Sequence, residues 1–134
     1  MRAILIAYVA AAAVMAGLDF VWLRLTVERL YRPAMGHLMA QDANMPAAIA
    51  FYLVYVGGIV VFAVSPALAG RDWTIALVHG ALFGFVAYAT YDLTNLATLQ
   101  GWPLGLSLID MAWGAALTAV AASAGTAAAL ALAR

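Results

Sequence analysis

Cysteine is absent from this chain, and so is lysine. The first absence excludes disulfides, thiolate catalysis and cysteine-ligated metals. The second leaves six arginines to balance six acids, a formal net charge of zero, with no basic tail or patch of the kind nucleic acid requires. Charge of either sign is scarce, at 9% of residues against 68% hydrophobic, and the mean hydropathy is +1.02. A soluble domain of 134 residues cannot cover its surface with so few charges, so lipid is the expected solvent. The signatures of hydrolases, nucleotide-binding loops and zincins are missing as well, and no cofactor or metal is expected.

What is present is apolar sequence in lengths that suit a bilayer. A spanning helix needs roughly 20 apolar residues, and the chain has room for four with short connections. The predicted spans are about 3–23, 46–69, 73–99 and 104–132. Met1-Arg2 and the apolar run after them resemble a signal peptide, but the run continues through Leu18-Asp19-Phe20-Val21-Trp22-Leu23, so it is read as the first span. Arg24, Glu28 and Arg32 then follow at four-residue steps, which predicts an amphipathic extension in the headgroup layer, ended by Pro33. Trp73 and Trp102 read as interface anchors. Arginines fall equally on the two sides, so the positive-inside rule gives a tie. The expected fold is all-α: one polytopic domain, a four-helix transmembrane bundle.

Polar residues inside those spans are costly and mark functional candidates. The densest set is Tyr88-Ala89-Thr90-Tyr91-Asp92-Leu93-Thr94-Asn95, near the end of helix three. Gly80, Gly84, Tyr88 and Asp92 lie on one face, and Asp110, Gly114 and Thr118 form a similar stripe in helix four. Both stripes predict close helix packing through Gly80, Gly84 and Gly114. Gly57-Gly58 in helix two suggests a third close contact. Helices one and three end on the side where two and four begin. At about 1.5 Å per residue, Asp19, Asp92 and Asp110 therefore sit roughly 6 to 11 Å below the same interface. Tyr52 and Tyr55 reach a similar depth. Three carboxylates in one low-dielectric pocket cannot all stay charged without partners. Arg24 is near enough in sequence to reach Asp19, and Arg32 and His37 are expected to roof that side. Ligand type in a set of Asp19, Asp92, Asp110 and His37 suits a hard cation, but no spacing demands one. Asp19-x-x-Trp22 and Asp110-x-x-Trp113 also match each other, as two halves of a duplication would.

The runs Leu18-Asp19-Phe20-Val21-Trp22-Leu23, Tyr31 through Gly36-His37-Leu38, Tyr88 through Leu99 and Asp110-Met111-Ala112-Trp113-Gly114 resemble a bacterial four-helix membrane family. It is known as domain of unknown function twenty-one seventy-seven. The resemblance covers nearly the whole chain and implies a multi-pass protein of the bacterial inner membrane with no assigned activity. It assigns no catalytic residue. It groups Asp19, Trp22, His37, Asp92, Asn95, Asp110 and Trp113 as a set.

The leading functional expectation is the binding, or modification, of a small amphiphile or lipid-derived ligand in a polar pocket near one interface. Asp92 and Asp110 would exchange protons or accept hydrogen bonds, with Asp19 paired to arginine. Tyr88, Tyr91, Asn95 and Trp113 would line the cavity, with Trp22, Tyr52 and Tyr55 nearby. Arg24, Arg32 and His37 would meet an anionic head group. The second expectation is a proton-coupled transporter acting as a homodimer. The third is a non-catalytic subunit, chaperone or scaffold whose polar stripe docks a partner helix.

Overall fold

The computed structural model describes residues 1–133. They form four long helices and no strand: α1 (Arg2–Leu38), α2 (Met45–Gly70), α3 (Trp73–Thr98) and α4 (Leu104–Leu132). Each is long and apolar enough to cross a membrane. Large apolar side chains such as Val54, Val61, Phe62, Leu82 and Val86 stand exposed along them. An apolar surface that extensive is a lipid-facing one. The connections are tight. Arg71 takes a left-handed conformation at the end of α2, Gly101 does so between α3 and α4, and side-chain oxygens of Asn44 and Asp72 cap the N-termini of α2 and α3.

Much of the buried core is small-residue packing on α4, which lies against both α1 and α3, with Met15 of α1 and Val56, Ile59 and Val64 of α2 completing it. Thr118 O is 2.8 Å from where a Cβ on Gly80 would stand, and Ala7 O is equally close to one on Gly125. A Cβ on Gly84 would collide with the Gly114 backbone, and one on Gly114 would enter the Tyr88 ring. Such contacts let backbones approach within reach of dispersion forces, which is what holds helices together in lipid. Gly58 receives the Phe83 ring, whereas nothing lies near Gly57. The Gly80–Gly84 face is thus occupied by α4.

Two of the helices change pitch. Val27–Tyr31 in α1 and Val60–Val64 in α2 are π turns, and each ends two residues before a proline, Pro33 and Pro66. A proline ring clashes with the carbonyl four residues back in an α turn, and the wider π turn relieves that clash. So α1 does not end at Pro33 as expected; it continues through Arg32–Met35 and a 3₁₀ turn at Gly36–Leu38. In α2, Ser65 Oγ bonds the Val60 carbonyl at 2.8 Å. Pro66 brings no N–H for Phe62 O, and His79 Nδ1 of α3 lies 3.2 Å from that oxygen.

The first half of α2 packs on α1, where Tyr8 donates to Leu53 O at 2.9 Å, while close backbone approach of α2 to α3 begins at Val60. Between the first half of α2 and the last half of α3 the bundle is therefore parted.

Candidate functional site

The site is assembled where the first π turn aims Tyr31 inward. Nine residues of regular α-helix would carry Tyr31 about 180° around the axis from Trp22. The extra residue of the π turn brings it back to within about 80°. Trp22 Nε1 then donates to the Tyr31 hydroxyl at 3.1 Å, and that hydroxyl donates to Asp110 Oδ1 at 2.7 Å. Across the same space Trp113 Nε1 donates to Asp19 Oδ1 at 3.2 Å, and Tyr52 donates to Asp19 Oδ2. The two indoles stack face to face, their centroids 4.3 Å apart and their planes 7° from parallel.

The two Asp-x-x-Trp tetrads therefore serve each other. The indole of the α4 tetrad reaches the α1 carboxylate directly, and the indole of the α1 tetrad reaches the α4 carboxylate through Tyr31. Each aspartate also receives one phenol, Tyr52 or Tyr31. Aromatic O–H and N–H groups, not a cation, thus meet the hydrogen-bonding needs of both carboxyls. Asp19 is accordingly held by Tyr52 and Trp113 and not by arginine, contrary to the sequence expectation.

Asp92 is different. It is 2% exposed, and its Oδ2 has no hydrogen-bond partner among the described residues. Its carboxyl stands beside Asp110 and the Ser107 hydroxyl. Ser107 cannot help, because its one proton goes to Pro103 O at 2.9 Å while its oxygen accepts from Trp102 Nε1 at 2.9 Å. Asp92 thus places a second buried carboxyl, with one oxygen unmet, behind the one that borders the cavities.

Asp110 borders two cavities. The larger, about 320 Å³, fills the parting between α2 and α3 and is lined by Phe51, Tyr55, Ala87, Tyr88, Tyr91 and Asp110. Behind it Phe83 stacks on Tyr55, at 5.3 Å between centroids. The Tyr55 hydroxyl lies 2.8 Å from Thr118 Oγ1. Thr118 spends its proton on Gly114 O, so Tyr55 is the donor of that pair. The smaller cavity, about 120 Å³, lies toward the end of α1 and is bordered by Tyr31, Met35, Met39, Trp102, Asp92 and Asp110, with Tyr91 shared between the two.

Other expected site residues lie elsewhere. Arg24 is exposed on the far side of α1 beside Phe20 and Glu28, and Arg32 is exposed and pairs with Glu28 at 2.9 Å. His37 is exposed and borders neither cavity, so Met35 and Met39 take the roofing place expected of the cations. Asn95 is half-buried, makes no side-chain hydrogen bond among the described residues and borders neither cavity. Thr90, Thr94 and Thr98 turn their hydroxyls back to the carbonyls one turn earlier on the exposed face of α3. The sequence reading missed Tyr31, Ser107, Phe51, Met35 and Met39 as site residues and placed Trp102 in the interface. A cluster of three or more acidic or histidine side chains able to hold a metal ion does not occur among the described residues.

Comparison with curated proteins and with solved structures returned no match. The family model described as "Predicted membrane protein (DUF2177)" matches residues 4–127, and this multi-pass membrane chain belongs to that family.

Proposed function

We infer that the protein binds a small amphiphile or lipid-derived molecule in the cavity between α2, α3 and α4. The observation that carries this reading is the parting of α2 from α3 at the level of Asp110, with aromatic walls leading to one carboxylate. A mostly apolar pocket with a few convergent polar groups is the usual form of a small-molecule site. Its apolar rim, Phe51 and Tyr91, is exposed on the surface that faces lipid, which suits a ligand arriving from the bilayer. All-helical spans suit the bacterial inner membrane, since outer-membrane proteins are typically barrels.

The test is mass spectrometry of small molecules retained by protein purified gently into nanodiscs. Wild type retains a species that Asp110→Asn and Tyr88→Leu lose, relative to empty nanodiscs. Equal retention by all three would sink the reading. Transport has less support, because Ser65 and His79 in the opposite half are both engaged with backbone carbonyls.

A further inference from the structure

We propose that the ligand's head group is an organic cation, an alkyl-bearing amine or quaternary ammonium, seated on Asp110 and enclosed by aromatic faces. This rests on the amphiphile reading above and specifies the charge of the molecule. Four of the six residues lining the larger cavity are aromatic: Phe51, Tyr55, Tyr88 and Tyr91. Ring faces attract cations through their quadrupole, and cages of such rings recognise quaternary ammonium groups. Tyr55 anchors the cage. It stacks on Phe51 at 5.2 Å and meets Tyr88 edge-on at 6.3 Å. Its hydroxyl is committed to Thr118, outside the cavity lining, and leaves Asp110 as the polar group facing a ligand.

The charge complement is equally one-sided. The only charged side chain in the lining is Asp110, and Tyr31 occupies one of its oxygens as a donor, with no cation beside it. Arg24 and Arg32 are exposed elsewhere, and the only ion pair among the described residues is Arg32 with Glu28. An anionic head in this cavity would meet a carboxylate and electron-rich aromatic walls, with no cation in the lining. A cationic head meets complementary charge on every side, in a medium where ion pairing is screened little. A chain attached to that head leaves through the parting of α2 and α3 into lipid.

The experiment is equilibrium binding to nanodisc-embedded protein of three probes sharing a ten-carbon chain: decyltrimethylammonium, decanol and decanoate, each corrected for empty nanodiscs. Decyltrimethylammonium is expected to bind at least tenfold tighter than the other two. Asp110→Asn is expected to abolish that preference, and Tyr91→Leu to weaken it several-fold. Tyr91 is 54% exposed at the rim, so its replacement keeps the fold testable even where Asp110→Asn does not. Tyr91→Phe, which keeps the ring, retains binding. Equal binding of all three probes, or a preference for decanoate, overturns the cationic head and leaves the amphiphile reading standing. No binding of any probe above empty nanodiscs overturns both.

Discussion

Asp92 is buried beside another acid with nothing to donate to its Oδ2, while Asp19 and Asp110 each receive a phenol. Replacing it with asparagine supplies an N–H to that neighbourhood without changing the shape. Asp92→Asn is therefore expected to raise the thermal midpoint, by the equivalent of about 1 kcal/mol for one added hydrogen bond. A lowered midpoint in the same detergent would mean that the acid's own proton is what Asp110 depends on. Tyr31→Phe is expected to act oppositely. It removes the donor to Asp110 and the acceptor for Trp22 together, at a cost of roughly 1–2 kcal/mol. The common depth of Asp19, Asp92 and Asp110 was legible from connectivity and helical rise alone. Their partners were not, because a phenol or indole reaches an acid through side-chain direction, which periodicity does not encode.

Among the elements, the α3–α4 seam and the first π turn matter most. Gly84→Ala is expected to destabilise at the upper end of the roughly 1–3 kcal/mol typical of overpacking, since its Cβ would meet the Gly114 backbone. Gly17→Ala and Gly105→Ala, where nothing lies within 4 Å, are expected to change stability little. Unfolding of the three variants under matched conditions checks the order. The seam was readable from four-residue steps of small residues. The π turn was not, because a proline reads as a helix stop, whereas the turn before Pro33 absorbs it. That one-residue insertion decides whether Tyr31 faces lipid or Asp110, which is why Tyr31 escaped the sequence reading.

Helix capping gives a pH dependence. Asp72 accepts from Thr74 N at 2.8 Å, and that backbone bond holds its carboxyl below the ordinary value of 3.8. A carboxyl depressed in the folded state contributes stability above its unfolded value, and loses it as pH falls through the folded one. The start of α3 should therefore fray in acid, below the usual carboxylate range. Hydrogen exchange at Thr74 and Ile75 in wild type and Asp72→Ala checks this, the variant losing the dependence.

At the scale of the whole molecule, the four spans and their order follow from composition, and the lipid-facing surface follows from them. The parting between α2 and α3 does not, since it depends on where α2 begins to touch its neighbour. The stacked indoles have a consequence at this scale too. Trp22 and Trp113 come from the first and last spans, so they meet only when the bundle has closed. Indoles 4.3 Å apart couple through their strong far-ultraviolet transition, and the pair should give a split dichroism band there that neither indole shows alone. Replacing either one with phenylalanine should erase the whole band. Ring closure of the bundle can then be followed by light, without attaching a label.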